Sequence, residues 1–148
     1  MFNRRETRRG LNAAATVGPV TPLDTTGLLA DRSLRGPDFC RALSDRIDGF
    51  LAEVFEAADP PPGTALVAVG GYGRREQCPG SDVDVVLVHR RGLDMADVAE
   101  RVWYPLWDAG LKLGHQVGTL PQLLEVASEH LDTATSLLAA RPVAGDAT

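Results

Sequence analysis

Apolar side chains recur at three- and four-residue steps through Phe39, Leu43, Ile47, Phe50, Leu51, Val54 and Phe55, while Arg41, Asp45, Glu53 and Glu56 fall on the opposite, wet side. That single stripe predicts an amphipathic helix over Asp38–Ala57, with Pro37 suited to its first turn. Asp59-Pro60-Pro61-Pro62-Gly63 ends it. The period then changes. Ala65–Val69 is a short, continuous apolar run bounded by Gly63 and Gly70, which predicts a buried strand. Gly70-Gly71-Tyr72-Gly73 follows, and Arg74–Gln77 is predicted to form one helical turn before Pro79-Gly80 breaks the chain. Val83–Val88 predicts a second buried strand.

Beyond it, Met95, Val98, Val102 and Leu106 share one face of a predicted helix over Asp94–Asp108. Asp94 is the expected cap and Gly110 the stop, and Pro105 is expected to kink or detach the last turn. Trp103 and Trp107 are expected to pack in the core. Leu111–Thr119 alternates, placing Leu113, His115 and Val117 on one face, with His115 expected as a hydrogen-bonded core residue. Pro121–Glu129 and Thr133–Arg141 predict two short helices, and Pro142 and Gly145 close the chain. The order predicts an α/β (α+β) domain, a small mixed β-sheet flanked by helices. Residues 1–26, which include Arg4, Arg5, Arg8 and Arg9, are expected to be a flexible basic tail, and residues 27–148 the domain.

Composition narrows the function classes. The 148 residues are 44% hydrophobic, enough for one domain with a real core. A net charge of −5 argues against a broad nucleic-acid footprint. No apolar run approaches the ~20 residues of a membrane span. Cys40 and Cys78 are too few and too far apart in sequence to suggest a disulfide scaffold or a zinc site, and a reducing cytoplasm is the default expectation.

The chemistry concentrates in Ala65–His89. Gly70, Gly71 and Gly73 let the backbone approach a ligand that a Cβ would block. A strand, a glycine turn and a helix start form an anion cradle, because free N–H groups point at the bound group. On the second strand Asp82 and Asp84 share a face, ~6.5–7 Å apart along the strand. Two carboxylates at the mouth of an apolar strand are costly unless balanced, and Mg²⁺ takes one or two carboxylates plus phosphates and water. The expected arrangement has the glycine turn and Ser81 holding a triphosphate, metal on Asp82 and Asp84 bridging to it, and Arg74 neutralising phosphate charge. Attack on the α-phosphate would then release pyrophosphate. GGxG alone is weak, and so is Asp-x-Asp alone; their spacing between two strands is specific. No GxxxxGK[ST] loop occurs.

Val69–His89, VGGYGRREQCPGSDVDVVLVH, resembles the nucleotidyltransferase domain of bacterial PII uridylyltransferases (uridylyl-removing enzymes), in the polymerase-β-like superfamily. Leu28–Asp31, Phe39–Asp45 and Leu106–His115 resemble that family's flanking segments. The resemblance implies a polymerase-β-like fold, here incomplete, and Mg²⁺-dependent transfer of UMP from UTP to a tyrosine of a PII-type regulatory protein in nitrogen regulation. It implies Asp82 and Asp84 as catalytic and metal-holding residues; charge and hydropathy, not the resemblance, carry the expectation of no membrane and no nucleic-acid partner. Two positions depart from the family pattern. Ala139 stands in Leu137-Leu138-Ala139-Ala140-Arg141 where the family carries an acid, and Gly118 stands where it tends to carry arginine. These departures open a second reading, a catalytically impaired module that binds nucleotide or partner without transfer. A third is a remnant unstable alone.

Overall fold

The computed structural model describes residues 19–146. Within them the order is α1 (Thr26–Ala30), α2 (Pro37–Ala57), β1 (Thr64–Ala68), α3 (Gly70–Gly73), β2 (Val83–His89), α4 (Ala96–Asp108), β3 (Leu113–Gly118), α5 (Leu120–Glu129), α6 (Leu131–Leu137) and β4 (Arg141–Gly145). The strands form one four-stranded mixed sheet in the order β3-β2-β1-β4. β1 runs antiparallel to β2 and β4, whereas β2 and β3 are parallel, with α4 as the crossover between them. This is the mixed sheet with flanking helices that the periodicity predicts.

Both faces of the two central strands are apolar because helices cover both. Leu66, Ala68, Val83, Val85 and Leu87 meet the stripe of α2 and Val98, Val102, Trp103 and Leu106 of α4 in the main core. Val69 and Val86 pack on Leu123 of α5, joined by Val67, Val88 and Leu137. Side chains alternate along a strand, so Asp84 belongs to this second face, between α5–α6 and the sheet.

Several elements differ from the sequence reading. The helical turn sits on Gly70–Gly73, not Arg74–Gln77. There, Gly73 N–H donates to Val69 O at 2.9 Å and Arg74 N–H to Gly70 O at 3.2 Å. Pro105 does not end α4, which continues to Asp108 and then stops at Gly110 with φ +77°. The N-cap of α4 is Met95, not Asp94, which stands one residue earlier and accepts from Ala96 N–H at 3.1 Å. His115 and Trp107 are exposed, not core; the imidazole leans on Trp103 and Trp107, with ring centroids 5.2 and 5.5 Å away. The last helix ends at Leu137, and Arg141–Gly145 is a strand on β1.

Of the expected tail, residues 1–18 lie outside the described residues. Val20 and Leu23 pack against the main core, and Thr21 N–H donates to Glu53 Oε2 at 2.9 Å. No helix among the described residues is long and apolar enough to cross a membrane.

Candidate functional site

β1 delivers the chain into α3 at Val69, whose N–H donates to Asp84 O at 3.0 Å. That bond sets the glycine turn beside β2 at the level of Asp84. Gly70 takes φ +60°, and a Cβ there would stand 3.1 Å from Asp84 Oδ2 and 3.7 Å from Ser136 Oγ. On the other flank Gly114 pairs with Asp84 across the parallel ladder. A Cβ on Gly114 would overlap Asp84 Oδ1. The Asp84 carboxylate therefore lies in a slot between two glycines, one from the turn and one from β3.

The slot opens into a cleft of about 260 Å³ lined by Asp84, Gly114, Gln116, Asp132, Thr133 and Ser136, among others. Asp84 is half-buried and Asp82, one step before β2, is exposed. Burial, and secondarily the nearby Asp82 charge, push the Asp84 carboxyl above its ordinary value. Among the described residues no hydrogen bond or ion pair reaches either carboxylate, and no group of three or more His, Cys, Asp or Glu gathers as a metal site.

The other predicted residues divide. Gly70, Gly71 and Gly73 form the turn itself, and Gly73 is buried against the backbone carbonyl of Ala139. Ala139 thus lies next to the glycine turn with no carboxylate to offer. Arg74 is exposed and spends its Nε on Glu76 Oε2 at 2.8 Å. Ser81 is committed to a turn. Its Oγ donates to Cys78 O at 2.8 Å and accepts from Cys78 N–H at 3.1 Å and Gln77 Nε2 at 2.9 Å. Ser81 accordingly shapes the approach to Asp82, and it contacts a phosphate only by giving up these bonds. Gly118 is buried at the end of β3, where a Cβ would meet Gln122 and Leu123 of α5, and it does not line the cleft.

One cluster escaped the sequence reading. Asp48 of α2 accepts from Tyr72 Oη at 2.5 Å and from both terminal nitrogens of Arg141, at 2.7 and 3.0 Å. Arg141 Nε also donates to Gly73 O at 3.2 Å, and its guanidinium lies 5.5 Å from the Tyr72 ring centre. Burial and the Asp48 bond hold the Tyr72 hydroxyl protonated. The clamp pins the glycine turn to α2 and β4. Tyr72 and Arg141 are 24 and 93 positions from Asp48, so only the fold assembles the three.

Comparison with known proteins gives the same direction. Residues 36–116 match the family described as "Putative nucleotidyltransferase DUF294". A curated relative from Streptomyces coelicolor, named bifunctional uridylyltransferase/uridylyl-removing enzyme, is 45% identical over 122 residues, covering 80% of this chain and 15% of its own. Proteins of the same name from Mycobacterium tuberculosis (48% over 86 residues, 57% of this chain and 11% of theirs) and Cupriavidus pinatubonensis (38% over 150 residues, 86% and 17%) also match. The chain thus spans about a tenth to a sixth of the length of these relatives. No solved structure matches. The family match covers the helix stripe, the glycine turn, both acids and most of the strand that walls the slot, and the chain belongs to this nucleotidyltransferase family.

Proposed function

We propose that this chain is a nucleotidyltransferase domain that transfers UMP from UTP to a tyrosine of a PII-type regulatory protein, with release of pyrophosphate. The observation that carries the reading is the Asp84 carboxylate in its glycine slot, half-buried, raised in pKa and without a cation, with Asp82 beside it. An ionised carboxylate so placed is poorly compensated by the protein alone. Mg²⁺ fits this donor set: Asp82 and Asp84 would hold it, substrate phosphate and water completing the shell. When bound, the ion supplies charge neutralisation at the phosphates. The chain's own part is to place the turn. In the first turn of α3 the N–H groups of Gly71 and Tyr72 have no acceptor among the described residues and suit a phosphate oxygen. Arg74 reaches a phosphate by exchanging its exposed partner Glu76, a pair of little strength. UTP and the tyrosine acceptor rest on the relatives' names and the sequence resemblance.

A second reading has a specific observation behind it. Ala139 abuts the turn where the family pattern has an acid, so the site holds two carboxylates and no third from this segment. That favours a module that binds Mg²⁺–nucleotide with weak turnover. One experiment separates the readings. Pyrophosphate release is measured with Mg²⁺, each of the four nucleoside triphosphates and a PII protein, for the parent chain, Asp82→Asn plus Asp84→Asn, and Ala139→Glu. Transfer that the double variant loses supports the enzyme. Transfer gained only in Ala139→Glu supports the binding module, and release unaltered by the double variant refutes both.

A further inference from the structure

Cys40 and Cys78 are 38 positions apart, yet their sulfurs lie 3.9 Å from each other. Cys40 sits in the first turns of α2, half-buried, and Cys78 is exposed in the turn between α3 and Asp82. Both are free thiols. The spacing that argued against a disulfide in the sequence is closed by the fold, because the chain leaves α2, crosses β1 and returns over the start of that helix. A disulfide needs an S–S distance of about 2.05 Å, so side-chain rotation on an exposed turn has about 2 Å to close.

We propose that Cys40 and Cys78 form a reversible disulfide, made and broken by exchange with a low-molecular-weight thiol–disulfide couple, which fastens the Cys78–Ser81 turn to α2. The turn moves as a unit, since Ser81 N–H and Oγ both donate to Cys78 O. It leads directly into Asp82, so the latch restrains the exposed acid of the candidate site while leaving Asp84 in its slot.

The two thiols differ in a way that orders the chemistry. Burial first, then contact with Cys78, pushes the Cys40 thiol above its ordinary value. Cys78 is the exposed thiol of the pair, open to a dissolved disulfide, and is the first attacker. Its thiolate attacks one sulfur of glutathione disulfide, and one glutathione leaves as a thiolate that takes up the proton Cys78 lost. Cys40 then gives its proton to solvent and attacks the Cys78 sulfur. The second glutathione leaves and is protonated. Two electrons and two protons pass from the protein to the couple, and excess reduced glutathione runs the sequence backwards.

The test equilibrates the full chain in glutathione buffers of graded poise, traps free thiols by alkylation and maps peptides without reduction. The expected result is a Cys40–Cys78 cross-linked peptide that dithiothreitol removes, no lasting Cys78–glutathione adduct, and an oxidised chain that melts about 5 °C or more above the reduced one. Cys40→Ser should instead accumulate the Cys78–glutathione adduct, because the resolving thiol is gone. A stable Cys78 adduct in the parent chain without a cross-link, or cross-links only between chains, overturns the proposal. These readouts are chemical and thermal, so they stand or fall independently of nucleotide transfer.

Discussion

Asp84 owes its position to residues that lack side chains. Gly114→Ala puts a methyl where the Asp84 carboxylate now lies, on a strand backbone that alanine otherwise tolerates. The carboxylate must turn out of the slot. The expected outcome is a loss of stability of about 1 kcal/mol and a fall of Mg²⁺–UTP affinity of about tenfold or more, measured by urea melts and calorimetry. The same slot fixes a pH dependence. Burial and Asp82 raise the Asp84 pKa above its unfolded value of 3.8. An acid shifted upward binds its proton more tightly in the native state. Its ionised form therefore lowers stability at neutral pH, and this penalty fades as pH falls through the folded pKa towards 3.8. Asp84→Asn should accordingly make the metal-free chain more stable than the parent at neutral pH, with the gap narrowing on acidification. Paired thermal melts from neutral pH downward check it. A gap that widens towards acid contradicts the assignment of cause.

At the level of elements, the clamp of Asp48, Tyr72 and Arg141 joins α2, α3 and β4. The Arg141 and Asp48 side chains are only 20% and 19% exposed, so their pairing is less screened than a surface bridge. Arg141→Ala leaves Asp48 half-buried without its cation and releases Gly73 O. It should cost about 2–3 kcal/mol in urea melts, and Tyr72→Phe about 1 kcal/mol. Asp48→Ala plus Arg141→Ala should cost less than the two single changes added, because each removes the other's partner. The clamp also marks where sequence reading stops. The α2 stripe, both apolar strands and the proximity of the glycine turn to the acids were legible, since each is a local period or a short spacing. β4 was not, because Pro142 and Gly145 disfavour a strand and pairing with β1 supplies what the five residues lack. The helical turn on three glycines was missed for the same reason. Bonds to Val69 O and Gly70 O hold a conformation that glycine does not prefer. α4 runs on through Pro105 because the helix is packed on the sheet and tolerates one missing donor. Asp48 with Arg141, and Cys40 with Cys78, are pairings of long separation that no periodicity encodes.

For the molecule as a whole, the sheet divides the work. One face builds the main core with α2 and α4, and the other is only partly covered by α5 and α6, leaving the cleft at Asp84. Rigidity is thus placed behind Asp84 and open space in front of it. Electrostatics then sets how a triphosphate can enter. The chain carries a net charge of −5, the cleft adds Asp132 to Asp84, and the arginines that follow the glycine turn, Arg74 and Arg75, are paired with Glu76 and Asp45. On the proposed reading a bare triphosphate would meet the Asp82 and Asp84 carboxylates without a metal ion to bridge to them, and would be repelled. Mg²⁺ alone would meet two carboxylates without the phosphate oxygens that complete its shell, and would bind weakly. Each ligand supplies what the other lacks, so binding should be strongly synergistic. UTP affinity measured calorimetrically should rise at least about tenfold on adding Mg²⁺, and by linkage Mg²⁺ affinity should rise by the same factor with UTP. Asp82→Asn plus Asp84→Asn should abolish the synergy while raising the affinity for metal-free UTP, because the repulsion goes with the carboxylates. Equal UTP affinity with and without Mg²⁺ in the parent chain would show that the acids and the glycine turn do not act on one ligand.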